Sequence, residues 1–469
     1  MRNRFYLMTL FISGVILCAF TLFTAYREMQ PEWKDYQNDY KELLIKDTRD
    51  EAAKKKARAL EVAIQQVYLS KLKRIDRCTS CHIGVENPLA ANAKEPFRQH
   101  SGEYLKNHEL NKFGCTVCHY GQGRAMNKKE AHGIGHDTHW DYPIIPMKYI
   151  QSTCAQCHNL EMLKLKGVDR VVKGEKLFGE NGCRGCHKLQ GIGGDLGKAL
   201  DIVGSQPIAY FPMGNVIGER TVYSWFKQHF DDPRALVPES EMKVHVTEAE
   251  ADLLTTYILS LRSEEMPREY RRFKDTAGTE RTMEDGEALY KKYCIACHAK
   301  GKDSLYDELF NRTVPAIMNP AFLKVADDGY LKKVVGEGRD GTQMTAWKAA
   351  AAGLSEQEIN KIVEYLTSER PKVRVEPFAM ASAKGDLKNG EGLYRVRCAL
   401  CHGETGKGAL GLNLRNPVVQ GADANFLAIT VRDGREGTPM PPFGKKGVGL
   451  KDQEIVDVVS YVKTLSKKK

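Results

Sequence analysis

Six stretches of this chain repeat one arrangement: two cysteines separated by two residues, with a histidine directly after the second. They are Cys78/Cys81/His82, Cys115/Cys118/His119, Cys154/Cys157/His158, Cys183/Cys186/His187, Cys294/Cys297/His298 and Cys398/Cys401/His402. Twelve of the 13 cysteines lie in these motifs; the other, Cys18, sits in an apolar N-terminal stretch. Chance gives roughly 0.01 copies in a chain of this composition, and the spacing reads as covalent haem attachment. Each position has a chemical reason. Two thiols add across the two vinyl groups of one haem, two intervening residues let both sulfurs reach it, and the following His stands under the iron as proximal ligand. Zinc sites and dithiol redox pairs also use Cys-x-x-Cys, but neither requires the His. The expectation is six covalent haem c groups.

The second axial ligand decides what each haem does. A strong sixth ligand makes an electron carrier, whereas an open position could bind a gas or peroxide. Around the first three motifs the spare histidines are His100, His108, His132, His136 and His139. Bis-His ligation is expected there, by His108, His132 and His139, with His100 close behind. His229 reads as structural.

These sites need elements to hold them. A chain of 469 residues exceeds one compact core, and 42% hydrophobic with 28% charged residues describes soluble domains rather than many membrane spans. The exception is Phe5 to Tyr26, which carries no charge and is long enough, at about 33 Å of helix, to cross a bilayer. Arg2 and Arg4 before it favour a cytoplasmic N-terminus. No convincing cleavage site follows, so residues 1–29 read as a retained single-pass anchor in the cytoplasmic membrane, with the bulk in the periplasm. Leu17 before Cys18 argues against lipid attachment. The formal charge of +10 would hint at an anionic partner, but twelve haem propionates would offset it. No nucleic-acid partner is expected.

Residues 30–75 are charged and helix-prone, with Leu60, Ile64, Val67, Tyr68, Leu72 and Ile75 at helical spacing. A helical stalk is expected there, and a haem-packed trihaem module over 76–165. The remainder repeats. Gly174-Glu-Lys-Leu-Phe, Gly286-Glu-Ala-Leu-Tyr and Gly390-Glu-Gly-Leu-Tyr each open a helix leading to a haem motif. Each repeat closes on an acid-started helix carrying Tyr257, Tyr365 or Tyr461, and Thr247 and Ser355 read as N-caps with Glu three residues on. The domains are expected at 170–262, 283–369 and 386–466, with linkers near 263–282 and 370–385.

On these residues the three segments resemble class I, mitochondrial-type cytochrome c domains. The resemblance implies a mostly α chain with three tandem all-α domains whose first and last helices cross, and a Met on the far side of each iron. The candidates are Met242, Met344 and Met440, the last two in the shared sequence Gly-Arg-x-Gly-Thr-x-Met from Gly338 and Gly434. His245 could compete with Met242. The family's Gly-Pro after the motif, whose Pro carbonyl orients the proximal His, is replaced by Gly197-Lys198 and Gly411-Leu412.

The N-terminal module is similar to one in bacterial multihaem cytochromes that accompany quinol-oxidising complexes. The residues that carry this are Asp76-Arg-Cys-Thr-Ser-Cys-His, Lys112 to Ala125, Ala131-His-Gly and His139-Trp-Asp. The resemblance implies an electron-exit subunit of a quinol:acceptor complex, with cytochrome b and Rieske-type subunits and a soluble periplasmic acceptor as partners. The alternatives are a haem enzyme with one open site (a peroxidase or nitrogen-oxide reductase, with the haem at His82 as candidate) and a free-standing membrane-tethered shuttle.

Overall fold

In a computed structural model of the chain, residues 2–467 are described apart from 30, 135–139, 160–162, 165–166, 264–265, 268–269, 271–282, 308–311, 340–341, 373–374 and 380–382. The chain forms two compact units. The first comprises residues 1–168, 206–229 and 264–277; the second comprises 169–205, 230–263 and 278–469.

The first unit begins with α1 (Arg2–Met29), which over Arg4–Tyr26 is long and apolar enough to cross a membrane. The hydroxyls of Thr9, Ser13, Thr21 and Thr24 donate to carbonyls one turn back, so these four hydroxyls are satisfied within the helix. Helices α2 (Glu32–Asp47) and α3 (Glu51–Arg58) follow, the latter capped by Asp50. The expected helical face from Leu60 to Ile75 is absent. Helix α3 stops at Arg58, and β1 (Val67–Leu69) pairs antiparallel with β2 (Arg74–Asp76), the turn closed by Lys73 at φ 53°. Side chains take over the backbone pairing that a helix would have supplied. Gln37, buried in α2, both donates to and accepts from Ala63, and Ser80 does the same for Gln65. Beyond β2 the first two motifs sit on single turns of helix, Cys78–Ser80 and Thr116–His119, and the third ends a longer 3-10 stretch, Met147–Gln156.

The second unit holds three repeats built on one device. Their opening helices are α4 (Asp169–Glu180), α7 (Gly286–Tyr293) and α10 (Leu387–Arg397); their closing helices are α6 (Glu248–Ser260), α9 (Glu356–Thr367) and α12 (Asp452–Val462). Most of α5 (Val222–Asp231), which lies between α4 and α6 in sequence, belongs to the first unit; α8 (Asp328–Glu337) and α11 (Ala424–Asp433) precede the closing helices of the second and third repeats. Each opening helix crosses its closing helix at a glycine. A Cβ on Gly174 would lie 2.3 Å from the Leu253 carbonyl oxygen, on Gly286 2.1 Å from that of Lys361, and on Gly390 2.1 Å from that of Asp457. No side chain fits at these crossings. One turn on, the aromatic pairs Phe178–Tyr257, Tyr290–Tyr365 and Tyr394–Tyr461 each meet with ring centres 5.3 Å apart. Thr247 with Glu250 and Ser355 with Glu358 form complete capping boxes.

Candidate haem centres

All six motifs fold into the same tight turn. The backbone N–H of Cys81, Cys118, Cys157, Cys186, Cys297 and Cys401 donates to the carbonyl of Cys78, Cys115, Cys154, Cys183, Cys294 and Cys398 respectively, at 3.1–3.2 Å. The histidine N–H that follows donates to the same carbonyl at 2.9–3.0 Å. This turn sets both sulfurs and the imidazole of one motif side by side, as attachment of one haem requires. All twelve motif cysteines are half-buried, Cys401 among them, while Cys18 is exposed in the apolar helix.

In the first unit one buried carboxylate joins two motifs. Asp76, 2% exposed, accepts hydrogen bonds from the backbone N–H groups of Cys78 (3.2 Å), Cys115 (2.8 Å) and Thr116 (2.8 Å). Burial alone would raise its pKa, but these donors outweigh it and hold the carboxyl below its ordinary value. Asp76 opens the stretch Asp76-Arg-Cys-Thr-Ser-Cys-His, but an acid two residues before a cysteine gives no signal of a contact 39 residues away.

The motifs themselves abut. The Cys78 thiol hydrogen-bonds Cys115, and Cys118 lies within electrostatic range of Cys154 and Cys157. Burial pushes Cys118 and Cys294 up to about 12 and Cys81 and Cys398 to about 11. A reactive dithiol or a zinc site needs the opposite shift, toward thiolate. Asp76, Cys78 and Cys115 cluster closely enough to hold an ion, yet the carboxylate is already engaged by three N–H groups.

Each proximal histidine of the first unit faces one spare histidine. Ring centres are 6.1 Å apart for His82 and His132, 6.1 Å for His119 and His100, and 6.2 Å for His158 and His108. The partners are held from behind: Nδ1–H of His100 donates to the Ser101 carbonyl and Nδ1–H of His108 to that of Tyr104. This leaves the outer nitrogen of each ring turned the other way. Desolvation lowers the pKa of His82, His119 and His132, favouring the neutral imidazole that binds metal. His139 and His136 lie outside the described residues. His229 stacks flat on Trp225, centres 4.4 Å apart, consistent with a packing role.

In the second unit the orienting carbonyl survives the loss of proline. His187 Nδ1–H donates to Lys198 (2.8 Å) and His402 Nδ1–H to Leu412 (2.9 Å), while the Pro315 carbonyl faces His298 at looser geometry. The second cysteine of the motif fixes the loop that carries this carbonyl. Gly197 N–H donates to the Cys186 carbonyl at 2.8 Å, and Gly411 N–H to the Cys401 carbonyl at 2.7 Å. Glycine is what the position demands: a Cβ would lie 2.4 Å from the His187 ring on Gly197 and 2.8 Å from the His402 ring on Gly411. Burial brings His298 down to about 4.

The methionine loops match in detail. Gly338 and Gly434 take φ of 66° and 65°, which favours glycine. Arg339 N–H then donates to the Met344 carbonyl and Arg435 N–H to that of Met440, both at 2.9 Å. Met344, Met440 and Met242 each donate their N–H to a hydroxyl two residues back, on Thr342, Thr438 and Ser240. Arg435, the arginine of the shared Gly-Arg-x-Gly-Thr-x-Met sequence, places its guanidinium 4.8 Å from the centre of the Phe322 ring, a contact its spacing does not signal.

Residues 171–262 match the family model "Cytochrome c", and residues 281–366 and 385–462 match "Cytochrome C oxidase, cbb3-type, subunit III". Among curated proteins, the chain is 30% identical to the cbb3-type cytochrome c oxidase subunit CcoP of Azospirillum sp. (strain B510), covering 42% of this chain and 66% of that protein. It is 24% identical to the cytochrome bc1 complex cytochrome c subunit of Mycobacterium leprae (39% and 61%) and 31% identical to cytochrome c6 of Pyropia yezoensis (19% and 82%). The chain thus matches just under two thirds of the length of the CcoP proteins. With several motif-bearing domains, the fold and sites are those of a multihaem c-type electron-transfer protein. The chain belongs to the cytochrome c family.

Proposed function

We propose that the chain is a membrane-anchored, periplasm-facing hexahaem cytochrome, and the electron-exit subunit of a quinol-oxidising complex with cytochrome b and Rieske-type subunits. Haem, when bound, supplies reversible one-electron chemistry at iron; the chain fixes the ligands and the order of the sites. The twelve motif thiols, from Cys78 and Cys81 to Cys398 and Cys401, hold the six groups covalently. In the first unit His82 pairs with His132, His119 with His100, and His158 with His108. In the second, Met242, Met344 and Met440 stand opposite His187, His298 and His402. Two imidazoles on one iron place their ring centres about 6 Å apart, given metal–nitrogen bonds of about 2 Å. The three separations of 6.1–6.2 Å are the observation that carries this reading. They supply His100 as a distal ligand opposite His119, and they leave His82 poorly suited to the open site that a haem enzyme needs.

Thioether ligation raises the potential relative to bis-His ligation, so a lower-potential first unit and a higher-potential second unit are expected, directing electrons outward. Likeness to a bc1 cytochrome c subunit supports an exit role. Likeness to CcoP over two repeats supports a second reading, as a donor subunit of a terminal oxidase. Purification in mild detergent discriminates between them. Co-purifying cytochrome b and Rieske subunits favour the first, and a copper-containing oxidase favours the second. EPR of the oxidised chain should show only low-spin iron, with six haems by pyridine haemochrome; a high-spin signal would remove the electron-carrier assignment for that site.

A further inference from the structure

The second and third repeats share a seam beside their methionine loops. Asn319 Nδ2–H donates to the Glu436 carbonyl at 2.7 Å, the Thr313 hydroxyl donates to the Leu410 carbonyl at 2.7 Å, and the rings of Tyr330 and Phe426 meet with centres 4.8 Å apart. Arg435 lies in this seam, with its guanidinium over the Phe322 ring of the other repeat. Its Nε is buried without a hydrogen-bond partner, and no carboxylate pairs with it, among the described residues. Of the acids close to the two loops, Asp433 pairs with Arg432, and Glu337 and Glu436 are exposed. The charge that does stand near is a second cation. Arg339 holds the same place five residues before Met344 and lies within electrostatic range of Arg435 across the seam. Burial brings Arg435 down to about 10, with Tyr330 opposing the shift and Arg339 adding to it.

Each arginine is also held against its own haem site. The Thr342 hydroxyl donates to the Arg339 carbonyl at 2.8 Å and the Thr438 hydroxyl to the Arg435 carbonyl at 2.7 Å, so the two loops fix their arginines alike. Arg339 lies within electrostatic range of His298, and Arg435 within range of His402. The first repeat has Val237 five residues before Met242, and it meets the second repeat elsewhere, at Gly182 and Gly185. The arginine therefore occurs in the two repeats that share this seam. We propose that Arg339 and Arg435 form one anion site, common to the second and third repeats, which takes carboxylates of the haems at His298 and His402 and so couples the two redox levels. This rests on haem attachment to both repeats, as proposed above. A buried guanidinium without counter-charge is unfavourable, and a second one across the seam makes it more so. A carboxylate that accepts two N–H groups from the planar fork relieves both. A nearby positive charge favours the reduced, less positive iron, so each arginine raises the potential of both sites.

The test is a redox titration of the haem-loaded full chain in detergent, followed optically. The wave displaced by Met440→His belongs to the site at His402, and the wave displaced by Met344→His to the site at His298. Arg435→Gln should lower the His402 wave by about tenfold in its one-electron equilibrium, about 59 mV, and the His298 wave by about threefold. Arg339→Gln should reverse those magnitudes. Lys446→Gln removes an exposed cation from the third repeat and should move either wave by less than about twofold. Arg435→Lys keeps the charge but loses the fork. It should hold both waves within about twofold of wild type while shifting the propionate bending band in resonance Raman spectra. If Arg435→Gln fails to take up haem, Arg435→Lys decides alone, and an unchanged propionate band overturns the site. A shift confined to the His402 wave in Arg435→Gln overturns the sharing between repeats, and so does an equal shift in Lys446→Gln. Pyridine haemochrome of the wild type separates the two readings: haem on both repeats with unmoved waves removes only the arginine site, whereas a chain lacking haem there removes the haem assignment proposed above and this site with it.

Discussion

The two units solve the same problem, presenting an imidazole to a metal, with different amounts of protein. In the second unit each motif is held by a helix crossing with its own apolar core; the middle repeat alone buries Leu289, Tyr290, Tyr293, Trp347, Leu354, Ile359, Ile362 and Leu366 together. Around the first three motifs the described apolar cluster is Leu69, Val117 and Met266, with Cys118 and Cys157 packed against it. There, position is set by single polar residues such as Asp76 and Gln37, and by the motifs touching one another. A fold held by a large core tolerates loss of one group; a fold held by bridges between sites does not.

The largest expected effect follows from that contrast. Replacing both cysteines of the second motif, Cys115→Ala with Cys118→Ala, removes the site that both the first and the third motif abut. Limited proteolysis should then cut throughout residues 76–158, and in-gel haem staining should fall by more than one haem equivalent. The matched change in the third repeat, Cys398→Ala with Cys401→Ala, should remove one haem equivalent and leave the first unit resistant. Equal damage in both would end the distinction.

The next effect sharpens the account of the second unit. Gly390→Val places carbon atoms against the Asp457 carbonyl at the helix crossing and should destabilise the third repeat by about 2–3 kcal/mol, read as a lower thermal midpoint. Gly392→Ala, two residues on in the same helix with nothing within 4 Å, should stabilise it by about 0.5–1 kcal/mol through helix propensity alone. If both behave alike, the crossing does not depend on close approach.

Exchanging ligand type between the units is a smaller structural change with a clear spectroscopic signature. His132→Met should raise the potential of the site at His82, and Met440→His should lower that of the site at His402, both remaining low-spin. A high-spin signal in His132→Met alone would mean that the geometry at His132 suits only imidazole.

What sequence could supply divides along the same line. The second unit is legible because its constraints are local and repeated. A glycine at each crossing, a tyrosine one turn from it and an acid-started closing helix recur at fixed offsets, and the Met loops carry their glycine and threonine with them. The first unit is not, because its constraints are long-range and unrepeated. Leu60 to Ile75 has helical spacing, yet Gln37 and Ser80 claim its backbone groups and the β-rich run Val67–Leu69 pairs with Arg74–Asp76. His100 meets His119, and His108 meets the far more distant His158; no spacing rule distinguishes these pairs from other combinations. Residues 206–229 and 264–277 return to the first unit although the repeat pattern runs past them. Met266 and Tyr270 show how: Met266 joins the Leu69–Val117 cluster, and the Tyr270 hydroxyl donates to the Lys112 carbonyl at 3.0 Å.

The smallest effect concerns the carboxylates that each unit buries. Asp76 accepts three backbone N–H groups in the first, while Asp457 in the third repeat accepts from Asp386 N–H, Asn389 and Gln453. Burial would raise both pKa values, but the donors prevail and both fall below the ordinary value of 3.8. A depressed carboxyl binds its proton more weakly in the unfolded-to-folded comparison, that is, less tightly once folded. Its contribution is therefore fully present above pH 3.8 and is lost as pH falls from there through the folded pKa. Asp76→Asn keeps one oxygen acceptor but forfeits the charge, and its amide group meets N–H donors it cannot satisfy; a loss of about 1–3 kcal/mol in the first unit is expected. Two of Asp457's three donors are side chains that can re-form with Asn, so Asp457→Asn should cost about 1 kcal/mol or less. Acid titration followed by Soret circular dichroism provides the comparison: Asp76→Asn should flatten the acid limb of the first unit more than Asp457→Asn flattens that of the third repeat. The reverse order would place the polar bridge of the first unit below its helical counterpart, and the contrast between the two units would fail at its weakest joint.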